Sequence, residues 1–112
     1  MKVFELAEAL KLTVYAGSSG LQQEVEGGYV SDLLSDVMGN AKAGSVWVTL
    51  QTHQNVMAIA SLKELAAVVV VQGFQPAADT IAYANAEGIA LLGTQETTFD
   101  MAGQLYNLIN IQ

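Results

Sequence analysis

Val46-Trp47-Val48-Thr49-Leu50, Ala67-Val68-Val69-Val70-Val71 and Ile89-Ala90-Leu91-Leu92 are three short apolar runs, each leading into a polar loop and then a helical pattern. After the first, Asn55 to Leu65 places Val56, Ile59, Ala60 and Leu62 on an inward face at helical spacing. After the second, Pro76 stands where a first helical residue belongs and Gly88 just past the helix end. After the third, Thr97-Thr98-Phe99-Asp100 resembles a capping box with Asp in place of Glu. The helix that follows offers Phe99, Met101, Ala102, Leu105, Tyr106 and Ile109 for packing. Successive strand–loop–helix units joined by right-handed crossovers give a parallel sheet with helices on its faces. The predicted fold class is therefore α/β, a mostly parallel sheet flanked by helices. Ala67 to Val71, apolar throughout, belongs near its centre.

Upstream the pattern is less regular. Lys2 to Leu10 puts Val3, Leu6, Ala7 and Leu10 on one helical face. Leu12 to Tyr15 is a short strand candidate closed by the turn Gly17-Ser18-Ser19-Gly20. Leu21 to Tyr29, with alternation at Leu21, Gln23 and Val25 and the pair Gly27-Gly28, reads as a short edge strand. Ser31 reads as an N-cap with Asp32 in the first turn, followed by Leu33, Leu34, Val37 and Met38 as a buried face and a stop at Gly39-Asn40 or Gly44. This first third is expected to add a mixed or antiparallel edge. No linker or charge block divides residues 1–112, so one domain is expected.

Composition removes several function classes. Eleven acids face four lysines, for a net charge of −7, and arginine is absent. Nucleic acid and anionic membranes are recognised by clustered Lys and Arg, so neither is an expected partner. A nucleotide would have to be held by backbone N–H groups and helix ends. Without cysteine there is no disulfide framework and no thiolate metal site. The longest purely apolar stretch, Leu65 to Val71, is far too short to span a bilayer. Met1 to Leu6 lacks the apolar run of a signal peptide, so the cytoplasm is the expected location. Only 13% of residues are charged against 52% hydrophobic, which suggests apolar surface covered by a partner.

Ligands of parallel sheets bind beyond the strand carboxyl ends. There the chain carries Gln51-Thr52-His53-Gln54-Asn55, Gln72-Gly73-Phe74-Gln75 and Gly93-Thr94-Gln95-Glu96. The ligand-binding candidates are Gln51, Thr52, His53, Asn55, Gln72, Gly73 and Thr94. Their amides and hydroxyls suit a neutral or mildly anionic ligand, and equally suit helix capping and turn closure. His53, the only histidine, lacks an acid in its own loop to orient it as a base. Gly17 to Gly20 has no lysine after it, so it is a turn and not a Walker loop. Asp32 and Asp36 could hold a cation through water, but Asp32 has an equal use at a helix start. Trp47 reads as a packing residue or an interface anchor. No catalytic constellation, metal site or cofactor is expected.

The order of three segments carries a resemblance. Gly27-Gly28-Tyr29-Val30-Ser31-Asp32-Leu33-Leu34-Ser35-Asp36-Val37-Met38, then Trp47 to His53, then Leu65 to Val71, resemble the DRTGG domain family over about Leu12 to Leu108. Where the family has Asp-Arg this chain has Thr52-His53, and where it has Thr-Gly-Gly this chain has Gln72-Gly73-Phe74. A ligand that relied on the Asp-Arg pair would lose it here. The resemblance implies an α/β domain like the N-terminal domain of HPr kinase/phosphorylase, found alone or beside phosphotransacetylase domains or the CBS domains of pyrophosphatases. Its implied role is regulatory or assembly-related. Kinase chemistry in that family's relatives belongs to a separate P-loop domain, so no kinase activity is implied.

The expected function is a non-catalytic regulatory or protein-interaction domain, a homodimer, sensing a small metabolite at the strand carboxyl ends or meeting a protein partner. The alternative is a small-molecule-binding accessory subunit of a larger redox or phosphotransfer complex. A stand-alone enzyme using His53 is the third reading.

Overall fold

The structure, a computed structural model, describes residues 1–111. Its elements are α1 (Val3–Ala9), β1 (Thr13–Ala16), a 3-10 turn (Ser18–Gln22), β2 (Gly27–Val30), α2 (Leu34–Asn40), β3 (Ser45–Thr49), α3 (Asn55–Leu62), β4 (Ala67–Val70), α4 (Ala78–Glu87), β5 (Ala90–Gly93) and α5 (Thr98–Ile111). The five strands form one sheet in the order β1-β5-β4-β3-β2. β2, β3, β4 and β5 are parallel neighbours, and β1 returns antiparallel beside β5. The protein is an α/β fold with a mostly parallel sheet.

The chain steps across the sheet in one direction from β2 to β5. Crossovers of one hand then deliver α2, α3 and α4 to a single face. There Val37, Val56, Met57, Ala60 and Ala84 pack on Trp47, Val68, Val70 and Leu91. The other face, left bare by the crossovers, is covered by the two terminal helices. Val3, Leu6 and Ala7 of α1 and Met101 and Leu105 of α5 meet Val46, Val48, Val69, Ala90 and Leu92. β4 is buried on both faces, which is why its sequence is apolar without alternation.

Several expectations need correction. β2–α2 is a fourth parallel unit, confined to Gly27–Val30, and the part of 21–29 before it includes the end of the 3-10 turn. Ser31 is not an N-cap: α2 begins at Leu34 after Leu33, and the Ser31 hydroxyl accepts the Leu33 N–H at 3.1 Å. Asp32 lies outside the helix and accepts the Thr49 hydroxyl at 2.9 Å and the Leu50 N–H at 2.7 Å. It joins the end of β2 to the end of β3. Leu33, Met38 and Leu62 face solvent instead of the core. α3 stops at Leu62, and the left-handed Glu64 turns the chain so that Leu65 fills the inward place. Pro76 is buried ahead of α4, whose N-cap is Ala77, while Gly88 ends that helix in the left-handed conformation as expected.

The first third has a structural task. Gly17, left-handed at φ 72°, and the buried Gly20 bring the 3-10 turn against the backbone at Gly88 to Ala90. A Cβ at Gly17 would lie 1.8 Å from the Ile89 carbonyl oxygen, and one at Gly20 2.5 Å from that of Gly88. The Gly17 N–H is held by the Asn85 side chain at 2.8 Å. The glycines of this turn serve backbone packing. Trp47 is fully buried within the chain, and its indole N–H donates to the Ser31 carbonyl at 2.8 Å.

Candidate functional site

The three carboxyl-end loops are fastened to each other by backbone bonds. Gln72 N–H donates to Glu96 O at 2.8 Å and Gly73 N–H to Thr94 O at 2.9 Å, so the loops after β4 and β5 run side by side. Two successive left-handed residues, Gln72 (φ 59°) and Gly73 (φ 70°), produce that turn. A Cβ on Gly73 would come within 2.5 Å of the Gln95 amide oxygen, so glycine fits the second position. Thr52 O accepts from Ala77 N–H at 3.2 Å and from the Thr80 hydroxyl at 2.7 Å, tying the loop after β3 to the start of α4.

The predicted polar groups are largely occupied by this work. Gln51 donates its side-chain amide to Asp32 O at 2.8 Å and its backbone N–H to the Thr49 hydroxyl at 3.1 Å. Exposed His53 accepts the Asn55 N–H on Nδ1 at 3.1 Å, so its ring caps the start of α3. That nitrogen is engaged by a backbone amide and not by a hydroxyl nucleophile or an orienting carboxylate. The Thr94 hydroxyl accepts the Glu96 N–H at 3.2 Å. None of the described cavities is lined by Gln51, Thr52, His53, Asn55, Gln72 or Gly73. Among the described residues no group of three or more His, Asp or Glu is arranged to hold a metal ion.

Thr94 does line a cavity. A cleft of about 360 Å³ opens at the carboxyl end of β5, where Lys11, Tyr15, Thr94, Gln95, Glu96 and Gln104 supply its polar wall. The antiparallel return of β1 makes it, because Thr13 pairs with Gly93 and so brings Lys11 and Tyr15 beside Thr94. Gly93 permits a close approach: a Cβ there would sit 2.2 Å from the Tyr15 ring. The Tyr15 hydroxyl in turn accepts the Gln75 amide at 3.3 Å, linking the cleft to the loop after β4. One cation, one carboxylate, a phenol, the Thr13 and Thr94 hydroxyls and two amides can engage a small polar molecule from several directions. Lys11, Tyr15 and Gln104 were not foreseen, since only the long-range β1–β5 pairing brings residues 11 and 15 there and only the packing of α5 brings residue 104.

A second concavity, about 570 Å³ and mainly apolar, runs between the free edge of β2 and α5. Val30, Phe99, Leu105, Tyr106 and Ile109 contribute its apolar wall. β2 is fastened on its opposite face by the Tyr29 hydroxyl, which donates to the Asp36 carboxylate at 2.9 Å. Hydrogen bonds from the Ser31 hydroxyl, the Tyr29 phenol and the Asn40 amide hold the Asp36 carboxyl below the usual carboxylate range. The same bond, with partial desolvation, raises the Tyr29 phenol.

No protein-family model and no curated protein matches this sequence. The fold is similar to a solved structure of the CBS and DRTGG domains of the regulatory region of Clostridium perfringens pyrophosphatase, complexed with its activator diadenosine tetraphosphate. The likeness has a TM-score of 0.73 at 11% identity and covers 94% of this chain and 46% of that one. The chain thus spans less than half the length of that neighbour. At this identity the likeness is one of fold, shared with a regulatory region and not a catalytic one. No helix among the described residues is long and apolar enough to cross a membrane.

Proposed function

We propose that this chain is a non-catalytic, DRTGG-like regulatory domain that works as a homodimer and senses a small polar metabolite in the cleft beside Thr94. The cleft carries the reading. It lies at the carboxyl end of a parallel strand, where α/β sheets place their ligands, and it gathers Lys11 and Tyr15, Thr94, and Gln104 from three separate parts of the chain. The regulatory character of the pyrophosphatase region that shares the fold supports it. Lys11 is the cation that would meet an anionic group, and Thr94, Gln95 and Gln104 would read neutral polar groups. The loop carrying Gln72 and Gly73 acts as the frame behind the cleft, through the Tyr15–Gln75 bond and the pairing of Gly73 with Thr94, while the loop carrying Gln51, Thr52, His53 and Asn55 is tied to the start of α4.

The test is a thermal-shift screen with ATP, AMP, diadenosine tetraphosphate, acetyl phosphate and free amino acids. A compound at 100 times its dissociation constant stabilises the fold by about 2.7 kcal/mol, equivalent to roughly 4–8 °C for a domain near this size. The expected shift disappears in Lys11→Gln and Gln104→Ala. A shift that survives both variants, or a screen flat throughout, refutes the cleft as a sensor.

A further inference from the structure

We infer that the free edge of β2 together with the flank of α5 is the surface through which two copies of this chain pair. The inference rests on the homodimer reading above and adds to it the surface.

The first observation is the groove itself. Of its lining residues only Glu26 is charged, and Val30, Phe99, Ala102, Leu105, Tyr106 and Ile109 make it apolar. Phe99 and Tyr106, 86% and 72% exposed, stand at the same site as the concavity. They lie seven residues apart on α5, on a face turned away from the Met101 and Leu105 stripe that packs on the sheet. A surface that bears both projecting aromatics and an apolar hollow can complement itself about a two-fold axis, each copy seating its aromatics against the other's groove.

The second observation is the strand edge. β2 pairs with β3 in unbroken register from Gly27 to Val30, and its outer side has no neighbour in the sheet. The strand carries no charge, proline or bulge, the usual devices that keep an edge from pairing. A Cβ on Gly27 would meet nothing within 4 Å, so nothing within the described chain requires glycine there.

Area and charge favour a second copy as the occupant. Two aromatics this exposed offer roughly 250–400 Å², a third to a half of the about 800 Å² each partner buries in a standard interface. The chain carries −7, and the groove, with one acid, is a place where two such copies can meet with little like-charge contact. Added salt should therefore tighten the pair by screening the remaining repulsion, the reverse of its effect on a basic partner.

The experiment is sedimentation of the full chain over a dilution series at low and high salt, for wild type, Phe99→Asp, Tyr106→Asp and Leu62→Asp. Circular dichroism of each confirms folding. Leu62, 68% exposed on α3 and outside the groove, is the control. Expected is a wild-type dimer that tightens with salt, at least about a tenfold rise in dissociation constant for each α5 variant, and no change for Leu62→Asp. A dimer indifferent to Phe99→Asp and Tyr106→Asp overturns the surface and leaves the homodimer standing. A wild type that stays monomeric overturns both, and the groove then falls to an extended segment of a different protein.

Discussion

The sheet has two edges, and they are finished in different ways. β1 is antiparallel to β5 and its register shifts between Val14 and Ala16, so a bulge bends this edge. The turn after it presses backbone on backbone, Gly17 and Gly20 against Gly88 to Ala90. β2 is regular and is held from behind by side chains: Trp47 on Ser31 O, Asp32 on Thr49 and Leu50, Tyr29 on Asp36. Glycines make the contrast concrete. At Gly17 there is no room for a single added carbon, whereas at Gly27 an added carbon touches nothing. One edge is bent by a bulge and anchored at its end by backbone packing, and the other is straight and anchored by side chains.

The largest effect expected from this comparison is at the backbone-packed turn after β1. Gly17→Ala forces a left-handed alanine into the Ile89 carbonyl and should cost at least about 3 kcal/mol, read as a lower urea midpoint. Gly27→Ala should leave that midpoint within about 0.5 kcal/mol. Equal losses at both glycines would erase the distinction. Next is the side-chain fastening of β2. Asp32→Ala removes the acceptor of the buried Thr49 hydroxyl and of Leu50 N–H, for an expected loss of about 1–2 kcal/mol. Amide exchange should then quicken at Ser31, whose N–H donates to Val48 O at 3.3 Å, and not in β1.

The smallest effect concerns Asp36, whose pKa is lowered in the fold. Its contribution is present above the ordinary aspartate value of about 3.9 and is lost as pH falls through the lowered value. Asp36→Asn, which no longer titrates, should flatten the acid limb of stability below about pH 4. An unchanged acid limb would mean that the Tyr29–Asp36 bond contributes nothing to holding β2.

How much could be read in advance differs along the same line. β3, β4 and β5 were legible because strands buried on both faces are written as apolar runs, and helices between them fix a parallel sheet. β2 was legible only as an edge strand within 21–29, because Gly27-Gly28-Tyr29-Val30 is half-exposed with little hydrophobic contrast to mark its bounds. Ser31 and Asp32 looked like helix-start residues since hydroxyl and carboxylate groups suit that role. Their actual partners, Leu33 N–H for one and Thr49 with Leu50 for the other, include contacts across the fold. Phe99 and Tyr106 were placed among the packing residues because periodicity finds apolar faces and does not say which of two a sheet will cover. Of the cleft, Thr94 followed from the strand-end rule, while Lys11, Tyr15 and Gln104 are joined to it only by β1 returning beside β5 and by the packing of α5.

The sequence by itself determined the α/β class, the parallel centre of the sheet and the polar loops at its carboxyl ends. Those features arise from local periodicity and from apolar burial, which neighbouring residues encode. Only the tertiary structure decided how the two edge strands pair, where the cleft opened and which apolar residues stayed in water. These depend on contacts between segments far apart in the chain, and the same local pattern is compatible with several such arrangements.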